Sequence, residues 1–143
     1  MQIRNPLFIL ISLTVLAAGC AKPSNQITIP KDAAQMEVDF SWEAVKPCTH
    51  ESPEIRVSAI PEGTKDLRVK LKNISVPAWN QGGGMVTHDG SGVIPAGALR
   101  VGYNGPCPPP GQRYKFEWWV MAVDAQGRII GFGKTREPYP PKK

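Results

Sequence analysis

Residues 113–124 read RYKFEWWVMAVD, and the alternation in this stretch decides the fold. Tyr114, Phe116, Trp118, Val120 and Ala122 fall on one side of an extended chain. The other side begins polar, at Lys115 and Glu117, and turns apolar at Trp119, Met121 and Val123. A period of two over this length predicts a β-strand, since successive side chains of a strand point to opposite faces. A strand that is apolar on both faces is central or covered. Trp118 and Trp119 must then part, one into the core and the other toward a pocket or a covering loop.

Immediately before it, residues 103–114 read YNGPCPPPGQRY. Prolines at 106, 108, 109 and 110 remove backbone donors and fix φ, so this segment is neither a helix nor an inner strand. It predicts a rigid, partly polyproline-like loop feeding the strand. Further out the period of two recurs. MEVDFSW puts Met36, Val38, Phe40 and Trp42 on one face, and DLRVKLKNI alternates Leu67, Val69 and Leu71 with Arg68, Lys70 and Lys72. IRVSAI and RIIGFG are shorter strand candidates, and MVTHDGSGVI predicts a hairpin turning at Asp89-Gly90. No window has helical spacing, and 15 prolines and 14 glycines punctuate the rest. The expectation is one mainly β domain, an antiparallel sandwich with little helix and no internal repeat.

The first residues bear on location. Arg4 precedes a largely apolar run from Leu7 to Ala18, shorter than the roughly 20 residues of a bilayer span and suited to the core of a secretory signal. LAAGC at 16–20 looks like a lipobox, although Leu16 sits one place earlier than in the commonest pattern. Acylation of Cys20, by palmitate or a similar chain, would anchor the protein to membrane lipid. An ordinary signal cleaved near Ala18 is the alternative, and it would leave Cys20 an unpaired thiol. The expected division is a lipoprotein signal peptide at 1–19, a lipidated N-terminus and tether at 20–34, and a β-domain at 35–143. Ala21 follows the cysteine where an aspartate would retain a lipoprotein at the inner membrane. By the Gram-negative sorting rule this predicts a bacterial envelope protein at the outer membrane, facing the periplasm.

Secretion leaves Cys48 and Cys107 as an even pair in an oxidising compartment, which predicts a disulfide. Such a bond would be worth roughly 4 kcal/mol in the chain-entropy account. The net charge of +5 is spread along the chain, a mild basicity suited to anionic headgroups and unlike a nucleic-acid stripe. Catalytic sets are poorly represented. Gly90-Ser91-Gly92 lacks the nucleophile-elbow spacing and reads as a turn, while Cys48 and His50 would be a metal pair with only His88 to add. Gln81-Gly82-Gly83-Gly84 would let a phosphate reach backbone amides, or is simply a flexible loop before a strand. Asp124 reads as a turn-capping carboxylate. No metal, cofactor or catalytic residue is expected, and the chain reads as a non-enzyme.

A series of motifs resembles the phosphatidylethanolamine-binding protein family, in its bacterial Raf-kinase-inhibitor-like branch. GPCPPPGQRYKFEWWVMAVD is similar to the family's proline loop and following aromatic strand. CTHESPEIRVSAIPEGTKDLRVKL and GVIPAGAL are similar to two upstream elements, in the same order. The resemblance implies a β-fold with a small pocket for a phosphate or phospholipid headgroup. It also implies where that pocket has changed. Asn73 and Ser75 stand where the family has two acids, Gly83 is near the place of a histidine, and Gln112 replaces another. Gly105, Pro106, Arg113 and Tyr114 match. The implied ligand-binding residues are therefore Asn73, Ser75, Gln112, Arg113 and Tyr114. The expected function is binding of a small anion or phospholipid headgroup without catalysis. The alternative is a protein-interaction module, an inhibitor or accessory factor with an envelope protein partner and an inactive pocket.

Overall fold

The computed structural model describes residues 26–142, and the signal and lipobox expectations, Cys20 included, lie outside them. Among the described residues eight strands form two sheets and no helix occurs. The strands are β1 (Ala34–Gln35), β2 (Glu37–Phe40), β3 (Ile55–Ser58), β4 (Thr64–Asn73), β5 (Asn80–Thr87), β6 (Val93–Ile94), β7 (Tyr114–Asp124) and β8 (Ile129–Tyr139). The larger sheet runs β1-β8-β7-β4-β5 and the smaller β2-β3-β6. All pairings are antiparallel except β1 with β8, which is parallel.

The central strand is the one the sequence singled out. β7 lies between β4 and β8, with Val120 opposite Val69 on one side and Gly133 on the other. Phe116, Trp118, Val120 and Ala122 turn inward with Leu67, Val69 and Leu71 of β4, all essentially without exposure. The smaller sheet adds Ile55, Val57 and Ile94. Trp42, just past β2, closes the core at one end, with Trp118 at 6.0 Å and Phe40 edge-on at 4.7 Å. Tyr103 stacks on Trp118 at 5.7 Å and 18°. Aromatic pairs at such separations add to plain area burial.

On the outer face of the larger sheet Glu117 is almost buried yet charged. It accepts from Trp119 Nε1 at 2.6 Å and from Arg136 Nη2 at 2.7 Å. Burial opposes its ionisation, but these donors outweigh it and hold the carboxyl below its ordinary value. Asp124 closes the β7–β8 hairpin as expected, accepting from the amides of Gln126 and Arg128, each at 2.9 Å. The Arg128 amide is the first cause of its lowered pKa.

One expectation fails. Residues 85–94 do turn at Asp89, whose carboxylate accepts from the Ser91 amide and hydroxyl. The flanking strands do not pair, because β5 joins the larger sheet and β6 the smaller. The turn is a corner between layers, and the choice is made by distant partners, β4 for one strand and β3 for the other.

Cys48 and Cys107 are bonded, with Cα atoms 4.5 Å apart across a separation of 59 residues. Reduction is expected to lower the urea midpoint by the equivalent of up to roughly 4 kcal/mol, read by unfolding with and without reductant. Acid sensitivity has a definite sign. Both Glu117 and Asp124 are depressed in the folded state, so their stabilisation is complete above the unfolded value near pH ~4 and fades as pH falls through the folded values. Glu117→Gln with Asp124→Asn should flatten the acid limb of a stability–pH curve relative to the parent chain.

Candidate functional site

The proline loop is held from below by backbone. Cys48 N donates to Pro106 O at 2.8 Å and Gly105 N to Thr49 O at 2.9 Å, on either side of the disulfide. Gly105 has to be glycine, since a Cβ there would stand 2.5 Å from the Thr49 oxygen. His50 Nδ1 lies 3.1 Å from Tyr103 O. The loop's stiffness serves this clasp, because a pre-ordered segment loses little further entropy when it is used.

A second layer comes from the glycine run, which is strand rather than a flexible loop. Gly82 bridges Tyr103, Gly83 N donates to Gly102 O at 3.0 Å, and Asn104 N donates to Gln81 O at 2.9 Å. Gly82 has φ +68°, and a Cβ on it would collide with the Gly102 carbonyl. The phosphate-cradle alternative loses the Gly83 amide to this pairing. The buried Gln81 carboxamide, oriented so that its nitrogen donates, reaches Asn104 O at 2.8 Å and Gly105 O at 3.2 Å.

The third piece follows β4. Asn73 is buried, and its Oδ1 accepts from Val76 N at 2.8 Å, shaping the turn at 73–76. Ile74 N donates to Lys115 O, and Lys115 N donates to Ser75 Oγ at 2.9 Å. This zips the turn to the start of β7. The Trp79 ring, half exposed, lies 6.0 Å from that of Tyr114. The 73–76 turn is therefore tied to the start of β7, and residues 81–83 to residues 102–104.

The five implied residues have different situations. Asn73 and Ser75 share the zipped turn, and Tyr114 opens β7 beside it, its ring near Trp79. Arg113 is turned away, its Nε donating to Pro140 O at 2.7 Å. Gln112 is exposed where the proline loop turns back, its amide donating to Pro109 O. None of the five lines either of two surface hollows. One, of about 730 Å³, runs between Asp39–Lys46 and Thr49–Arg56, and the other, of about 370 Å³, lies beside Ile27, Arg68 and Met85.

Sequence reasoning missed Trp79 and the buried polar atoms. Trp79 follows the turn proline in VPAWN, and an aromatic at that place was a usable signal. Asn73 Nδ2 and Tyr103 Oη are buried without a partner. Burial, with Tyr139 nearby, pushes the Tyr103 hydroxyl well above its ordinary value, so it stays a neutral donor. His88 sits at the corner after β5, beside an Asp89 already engaged by Ser91. Among the described residues no group of three or more His, Cys, Asp or Glu side chains could hold a metal.

No family model and no curated protein matches the chain by sequence. Solved structures do match it in shape. A putative phosphatidylethanolamine-binding protein homologue, CT736 from Chlamydia trachomatis, aligns with a TM-score of 0.57 at 16% identity, over 78% of this chain and 100% of that one. E. coli YbcL, a new member of the mammalian phosphatidylethanolamine-binding protein family, aligns at 0.55 and 15%, over 76% and 100%. At such identities the likeness is one of fold, and the chain has the phosphatidylethanolamine-binding-protein-like fold, mainly β with little helix.

Proposed function

We propose that this is a lipid-anchored protein of the bacterial envelope that binds a small anion or phospholipid headgroup at the meeting of the 73–79 turn, the glycine strand and the proline loop, without catalysis. The anchor is Cys20, and the expected place is the outer membrane, facing the periplasm. The observation that carries the binding reading is the Asn73 carboxamide. Its oxygen is used by Val76, while its nitrogen is buried and unpaired. A buried donor without an acceptor costs about 1–3 kcal/mol, which an oxygen of a bound anion would recover. Ser75 stands on the same turn, Tyr114 opens the neighbouring strand, and Trp79 offers an apolar wall for the remainder of a headgroup.

The site has lost the acids and histidines implied by the resemblance, so its recognition is by neutral donors. Neutral donors bind without a proton to exchange, and affinity would be modest and little dependent on pH near neutrality. A second reading has its own support. The 730 Å³ hollow on the smaller sheet is bordered by Asp39, Glu43, Glu51 and Glu54 against Lys46 and Arg56, a surface suited to a protein partner with a basic segment. Recovery of one dominant protein by crosslinking in intact cells would favour it.

Titration of the full-length chain in detergent with phosphoethanolamine should give saturable binding. Asn73→Asp keeps the acceptor for Val76 and puts a negative oxygen in place of the donor. It should weaken binding at least about tenfold, a change of about 1.4 kcal/mol. Tyr114→Ala should weaken it as well. Flat titrations up to millimolar ligand, in a chain that melts normally, would remove the binding account.

A further inference from the structure

The outer face of the larger sheet is a ladder of cations. Register places Met85, Arg68, Met121 and Phe132 in one row across β5, β4, β7 and β8, and Lys70, Trp119 and Lys134 in the next. Lys72, Glu117 and Arg136 form the third, and Lys115 opposite Pro138 extends the face. Arg68, Lys115, Lys134 and Arg136 are exposed. Glu117 is consumed by Arg136 and Trp119, and Asp66 lies at the far end of β4. Lys72 Nζ sits 3.1 Å above the Trp119 ring. Burial first, and then Lys70, with a smaller part from Lys134, lowers the pKa of Lys72 against the pull of Glu117. The charges crowd one another.

Two further observations choose the partner. Apolar groups interleave the cations, with Met85 55% exposed and Phe132 edge-on to Trp119 at 5.1 Å. The chain also enters on this face, where Ile27 borders the hollow formed with Arg68, Lys70 and Met85. The residues preceding Gln26 carry the apolar run Leu7 to Ala18. A membrane attachment through them would therefore draw this sheet, rather than the acidic hollow of the other, toward lipid. We infer that the outer face of the larger sheet docks onto an anionic phospholipid bilayer, with Arg68, Lys70, Lys115 and Lys134 facing the headgroups and Met85 reaching between them.

This surface adjoins the headgroup site around Asn73, since Gly82–Gly84 border its hollow and Lys115 is bonded to Ser75, but its lipid contacts are made by other side chains. It depends on the anchoring reading only for the direction of attachment. The attraction is that of a basic juxtamembrane patch, about 1 kcal/mol or about fivefold per cation, and it is screened by salt.

The test is partition of the full-length chain into phosphatidylcholine vesicles and into vesicles that also contain phosphatidylglycerol. An apolar anchor binds both kinds, whereas the sheet face adds only to the anionic kind, so the two readings fail separately. The wild type should prefer the anionic vesicles, and raised salt should abolish the preference without any substitution. Arg68→Gln with Lys134→Gln should lower partition into anionic vesicles about 25-fold, fivefold for each surface cation, and leave the neutral ones unchanged. Arg56→Gln, on the opposite sheet, should change neither. Equal partition of the wild type, or an unchanged preference in the double variant, overturns the proposal. So does self-association without lipid that the double variant abolishes, which would give the face to a second copy, or retention on duplex DNA in preference to vesicles.

Discussion

Trp118 holds this molecule together. At the centre of β7 it has no exposure, and it meets Trp42 and Phe40 from the smaller sheet's side and Tyr103 from the approach to the proline loop. One side chain thus joins both layers and the irregular chain between them. With Trp118 as a fixed plate, the stacking of Tyr103 sets where residues 102–107 leave the core. The backbone bonds to Cys48, Thr49 and Gln81 and the Cys48–Cys107 disulfide then fix that exit. The candidate site follows from packing as much as from its own polar groups.

The parts of the fold set by local alternation were legible in the sequence. Leu67, Val69 and Leu71 point inward and Arg68 outward because a strand has no other way to divide them. The cysteine pair was legible because an even pair of thiols in a chain expected to be secreted has few other uses. The parting of Trp118 and Trp119 was legible as well, the first into the core and the second under Lys72. What could not be read was partner choice at a distance. Nothing in residues 85–94 says that Met85 will pair with Arg68 while Ile94 pairs with Ile55. The glycine run was misread for a related reason. The need for Gly82 comes from the Gly102 carbonyl, twenty residues away in sequence.

The site residues divide in the same way. Asn73 and Ser75 could be named from the motif, but their bonds to Val76 and Lys115 depend on the register of β4 with β7. Arg113 was grouped with Tyr114 because both match the family's motif, yet neighbours entering a strand diverge, and Arg113 goes to Pro140. Charge shows the sharpest contrast between composition and arrangement. A chain with net charge +5 spread evenly along its length becomes, once folded, a body with cations on the outside of one sheet and carboxylates around the hollow of the other.

The borders of both sheets are blunt. β1, two residues long, ends one side of the larger sheet, and on the other side the Gly82–Tyr103 bridge occupies part of β5. In the smaller sheet the outermost strands have four and two residues. Long, open strand margins are templates for pairing with neighbouring molecules, and short or occupied ones are not. Copies of this domain gathered at high density on one surface would therefore touch through side chains and remain separate, without growing into a shared sheet.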